Sequence, residues 1–241
     1  MMDSLIFLDS EIGADGALLE VAALKNRDVF WKGTTTQGLA EFVQNATFLV
    51  GHNLIHHDLV FLIPHCPALK ALTPIDTLYL SPLLFPQWPY HRLVKDDKLY
   101  TTEINNPLND CYHCQALFED EIDAFRELPE ALQQIYYALL AEQTEFSGFF
   151  NYVQFAHRPE RLEELIHRTF ADKICHRSSL SPLIERHPIA LAYVLALLYG
   201  SALQTLPPVW VLKQYPEVND ILTELCHPNS RYPRDFASLH F

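Results

Sequence analysis

The sequence predicts an α/β protein: a mixed sheet of about five strands flanked by helices, then an all-helical C-terminal lobe. Three observations carry this expectation. Short apolar runs bounded by turn residues occupy the chain up to Tyr79. Two of these runs are separated by a helical pattern, the arrangement that makes neighbouring strands parallel. Beyond Leu128 the spacing is helical, and most segments open on a proline at or near their start. The change of character near residue 126 divides the chain into an α/β region, 1–126, and a helical region, 127–241.

The first strand is Leu5-Ile-Phe-Leu-Asp9-Ser-Glu11. Side chains alternate along a strand, so Asp9 and Glu11 share a face. Two like charges that close repel, and a cation between them relieves the repulsion. The alternative is a buried strand whose polar end is acidic. Asp15-Gly16 is a turn, and Ala17–Leu24 and Asp28–Lys32 complete an antiparallel meander. Thr34–Asn45 has a helical pattern behind a run of threonines that could cap it. Thr47–Val50 is a short buried strand ending in Gly51-His-Asn53, and Leu54–Leu62 is a helix carrying Asp58. Thr73–Tyr79 is the last strand. Its Asp76-Thr77 pair is the kind that caps a following turn.

From Ser81 to Pro107 the chain is rich in proline, aromatic and basic residues, among them His91, Arg92, Lys95 and Lys98, and lacks periodicity. A connection this long suits a functional loop. In it Trp88 and Tyr90 could stack on a nucleobase or anchor the loop. Asn109 is placed to cap a helix from about Asp110 to Phe125. Helical patterns then follow over Pro129–Phe155, Pro159–Phe170, Ser181–Tyr199 and Pro216–Leu225. The aromatic stripe Phe146, Phe149, Phe150, Tyr152 and Phe155 reads as core.

At 241 residues and 49% hydrophobic, the chain can bury one large core or two small ones. No run of about 18 apolar residues is present, so no membrane partner is expected. The N-terminus lacks a basic stretch and a cleavage signal. Five scattered cysteines read as reduced thiols, and together these features suit a cytoplasmic protein. The pair Cys111 and Cys114 lies within one helix, with no second pair nearby to complete a zinc site. The formal net charge of −13 is unusual for a nucleic-acid binder. Such binding would rest on local basic patches, bound cations or a partner.

Asp9-Ser-Glu11-Ile-Gly13, then Val50-Gly-His-Asn53-Leu-Ile-His-His57-Asp58-Leu, then Ile75-Asp-Thr, then a late helical Asp110 resembles the DnaQ-like (DEDD) 3′–5′ exonucleases. The resemblance implies a ribonuclease H-like fold. It implies that Asp9, Glu11, Asp58 and Asp110 bind two divalent ions, magnesium or manganese, for phosphodiester hydrolysis. An in-line displacement at phosphorus is served by two ions roughly 4 Å apart. The implied substrate is a nucleic-acid end, single-stranded or frayed DNA before RNA, held by Asn53, Asn105, Trp88, Tyr90, Arg92 and Lys95.

One family position departs. A His or Tyr expected five or four residues before the final Asp is Asn105 or Asn106 here, and an amide is no general base. Either another group such as His91 or a metal-bound hydroxide serves, or the domain is a catalytically weak module for binding or assembly. Further phrases, among them Pro89-Tyr-His-Arg-Leu-Val-Lys and Pro207-Pro-Val-Trp-Val-Leu, are similar to the region preceding the motor of certain bacterial RecQ-type helicases. This implies a helicase motor domain as a partner in a longer chain. No Gly-x4-Gly-Lys-Ser/Thr occurs here, and no helicase activity is expected of these residues.

Overall fold

Five strands form one mixed sheet in the order β3-β2-β1-β4-β5. They are β1 (Leu5–Ile12), β2 (Leu18–Asn26), β3 (Val29–Gly33), β4 (Phe48–Gly51) and β5 (Thr73–Asp76). The computed structural model describes residues 5–26, 29–91, 93, 106–175, 178–200 and 206–225. β1, β2 and β3 are the expected antiparallel meander. β4 runs parallel to β1, and β5 parallel to β4.

The helices are α1 (Leu39–Phe42), α2 (Leu59–Leu62), α3 (Thr77–Leu84), α4 (Pro107–Glu127), α5 (Glu130–Leu140), α6 (Thr144–Val153), α7 (Leu162–Thr169), α8 (Ser181–Arg186), α9 (Pro188–Gly200), α10 (Val209–Gln214) and α11 (Glu217–Leu225). Over these residues the chain makes two compact units. One comprises Met1–Tyr79, Arg92–Asp123 and Thr144–Gln154; the other comprises Leu80–His91, Ala124–Gln143 and Phe155–Phe241.

In the first unit, strand alternation sends the two faces of the sheet to two cores. Ile6, Leu8, Val21, Ala23 and Leu49 pack with Leu39, Leu54 and Leu62. Phe7 points the other way and meets Phe118 of α4 edge-on at 6.2 Å between centroids. Phe118 in turn meets Phe149 and Tyr152 of α6, and Phe48 meets Tyr152. Of the aromatic stripe, Phe146, Phe149 and Phe150 are core, as the spacing suggested, whereas Tyr152 and Phe155 are half-buried and Phe155 lies beyond the end of α6. α6 lies so close to β5 that Gly148 has no room for a methyl beside the Pro74 carbonyl.

In the second unit α9 is apolar all round, and Ala190 to Leu198 are buried without a break. A helix without a polar face must be enclosed, and α5, α8 and α11 pack around it. Lys173 Nζ donates to the Leu198 carbonyl at the end of α9.

Several boundaries differ from the sequence reading, each for a local reason. The helix expected over Thr34–Asn45 shrinks to one turn between two left-handed residues, Gly38 (φ 88°) and Asn45 (φ 68°). The strand from Thr73 ends at Asp76, because its carboxylate accepts the Leu78 N–H and starts α3. The expected loop therefore begins only after Leu84. Asn106, rather than Asn109, caps α4: its Oδ1 accepts the Leu108 N–H at 3.1 Å, and Pro107 takes the first helical position. Pro129–Phe155 breaks into α5 and α6 at residues 141–143. Ser181–Tyr199 breaks into α8 and α9 where Pro188 starts a new helix.

Candidate metal centre

Asp9 and Glu11 project from the same face of β1, and Asp110 stands in the first turn of α4. One carboxylate oxygen from each lies within 4.8 Å of the others. Asp110 is buried, and Asp9 and Glu11 are partly so. The helix start favours an acid there, since its free N–H groups carry partial positive charge. Two contacts set the helix over the strand. Cys111 Sγ lies against the Phe7 and Ala22 carbonyls. Lys32 of β3 reaches across to Asn106 Oδ1 at 3.2 Å while pairing with Glu20 at 3.0 Å. The Cys111 thiol is pushed well up by burial, with Asp9 among the acids that add to the effect. It is a packing residue rather than a reactive one.

Asp58 is not among the carboxylates that share this 4.8 Å grouping. β1 pairs with β4 only as far as Phe7 opposite Val50. Past that point the Ser10 N–H has no strand partner on the β4 side, and Asp58 Oδ1 takes it at 2.9 Å, along with the Ser10 hydroxyl. Asp58 thus closes the splayed end of β1 and β4 from a wide helical turn over Leu54–Asp58, in which Leu59 N–H reaches the Leu54 carbonyl. Such turns recur at functional sites. His57 Nδ1 lies 3.6 Å from Asp58 Oδ1. Asp58, chiefly, and the charge of Glu11 raise the His57 pKa against a smaller opposing effect of burial.

Asn53 enters this turn in the left-handed region (φ 66°, ψ 28°), a conformation asparagine tolerates better than most residues. Its N–H and that of Ile55 both donate to Asp76. Asp76 is fully buried, and desolvation raises its pKa to about 7 in spite of its three backbone donors. Its role is to order the segment that delivers Asp58. His52 bonds Thr77 through Nδ1, a packing arrangement rather than a zinc site.

The aromatic and basic residues fall in two groups. Arg92, Lys95 and Asn105 lie outside the described residues, as do Lys98 and Cys226. Trp88, Tyr90 and His91 belong to the second unit. There Trp88 stacks on Phe85 at 4.2 Å, and Tyr90 is 79% exposed. His91 is buried with Nδ1 2.7 Å from Ser81 Oγ, and desolvation lowers its pKa to about 4. It is neutral near pH 7 and a poor proton acceptor.

Ser10, His57 and Lys32 had no distinct role legible in the sequence, and Asp76 was legible only as a strand-end cap. Only Ser10, lodged between two acids, stood beside a visible signal. The donor set is all oxygen and anionic, which fits a hard divalent cation such as magnesium or manganese. Compared with family models, curated proteins and solved structures, the chain matches none.

Proposed function

We propose that this chain is a metal-dependent 3′–5′ exonuclease of ribonuclease H-like fold, hydrolysing phosphodiester bonds at single-stranded or frayed DNA ends. The observation that carries the reading is the convergence of Asp9, Glu11 and Asp110 from a strand and a helix start that are distant in sequence. The strand order, with β4 and β5 parallel to β1 and the acids at the splayed β1–β4 end, supports the fold assignment. Asp9, Glu11 and Asp110 would hold a divalent ion, and Asp58, which accepts from Ser10 between two of them in β1, is the candidate acid for a second. When bound, the ions supply an activated water and neutralise charge building on the phosphate oxygens. The chain's own part is to hold the three carboxylates on rigid elements, fixed by the Ser10–Asp58 and Lys32–Asn106 contacts. A helicase motor in a longer chain would supply the frayed end.

A second reading is a catalytically weak module for nucleic-acid binding or assembly. It is favoured by Asn106, whose side chain is engaged as the α4 cap and by Lys32 at the position where a base was expected. End-labelled oligonucleotides incubated with manganese separate the two readings. The enzyme shortens them stepwise, and Asp9→Ala, Asp58→Ala and Asp110→Ala abolish this. Absence of shortening with either metal across the pH range, with oligonucleotide binding retained, establishes the second.

A further inference from the structure

Helix α4 presents one buried stripe to the sheet, and two of its acids lie on it. Asp110 and Glu121 are eleven residues apart, about three turns, so they face the same way and stand ~16 Å apart along the axis. Between them lie Cys114 and Phe118, both buried. Asp110 has the other carboxylates as its setting. Glu121 is fully buried, and among the described residues neither of its carboxylate oxygens has a hydrogen-bond partner.

The charged and titratable groups described around Glu121 are Asp76 at the end of β5, Asp120 beside it in α4, and the Cys114 thiol two turns earlier. None of them supplies a positive charge. An ionised carboxylate here would have neither a counter-ion nor a donor, and two acids would repel it. A protonated one is a neutral side chain of the same shape.

We infer that Glu121 is a proton-operated latch for α4. While its carboxyl carries a proton the helix stays seated on the sheet; when the proton leaves, this end of the helix loosens, and the seating that brings Asp110 to Asp9 and Glu11 is weakened. The sign follows from burial: desolvation, reinforced by Asp76, raises the Glu121 pKa well above the usual carboxylate range. Its stabilising contribution is complete below the ordinary glutamate value and is lost as pH rises through the raised one. Nothing in this inference depends on nuclease activity.

The experiment is a set of three thermal-unfolding profiles between about pH 5 and about pH 9, for the wild type, Glu121→Gln and Glu121→Leu. Asp76 titrates in all three, so the difference between profiles reads Glu121. The wild-type Tm should fall with pH by roughly 5 °C more than that of either variant. In the wild type alone, amide hydrogen exchange over 115–127, corrected for the intrinsic pH dependence of exchange, should speed up at least ~10-fold across the same range. Parallel Tm profiles overturn the latch. So does α4 exchange that stays unchanged with pH, a result that stands even if neither variant folds.

Discussion

Asp76 shows how one buried side chain can organise a site it does not enter. Its two oxygens accept the N–H groups of Asn53, Ile55 and Leu78, joining the turn before Asp58 to the start of α3. Replacing it with alanine leaves three donors without that acceptor. We expect Asp76→Ala to lose ~3 kcal/mol in urea unfolding, since an unmet buried donor costs about 1–3 kcal/mol. Burial raises its pKa to about 7, so its contribution is complete below the unfolded value of about 3.9 and declines as pH rises through 7. The gap between wild type and Asp76→Ala should therefore be widest near about pH 4 and narrow by about pH 8; a gap that widens with pH contradicts this. The sequence showed an Asp-Thr at a strand end, and a capping role was legible from it. The second duty, holding Asn53 and Ile55, was not, because those partners arrive from across the fold.

At the scale of elements, two close approaches decide where the helices lie. Cys111 rests on strand backbone, and Gly148 lets α6 meet β5 at the Pro74 carbonyl. Any Cβ at position 148 must push backbone against backbone. Gly148→Ala should cost about 3 kcal/mol or leave the protein insoluble, measured by chemical unfolding or by soluble yield. A near-neutral result would mean that α6 sits farther from the sheet. The strands were readable from alternation and turn residues, and their parallel and antiparallel senses followed from the connections. Helix lengths were less readable. One long pattern over Pro129–Phe155 divides so that α5 serves the helical unit and α6 the sheet unit, a choice made by which hydrophobic surface each stripe can cover.

For the molecule as a whole, a net charge of −13 makes the compact state repel itself, and the three converging carboxylates concentrate that repulsion. A divalent ion binding there should stabilise the fold. Millimolar manganese should raise the Tm of the wild type, in step with ~2–3 kcal/mol at roughly 100-fold excess over Kd. Asp9→Ala and Asp110→Ala should each remove most of that gain. Equal shifts in all three proteins would mean the ion binds elsewhere. This measurement needs no substrate, so it tests the site separately from the proposed reaction.

By itself the sequence determined the antiparallel meander, the parallel sense of neighbouring strands joined through a helix, the shared face of Asp9 and Glu11, and the helical character of the chain beyond Leu128. These follow from local periodicity, which needs no partner to be read. Only the tertiary structure decided that Asp110 joins Asp9 and Glu11, that Asp58 is held by Ser10 at the open edge of β1, and that Asn106 caps a helix. It alone also set Glu121 in a buried place with no hydrogen-bond partner among the described residues. The carboxylate grouping, the Ser10–Asp58 contact and the burial of Glu121 depend on which residues distant in sequence come within a few ångströms, and the packing of α4 on the sheet settles the first and the last.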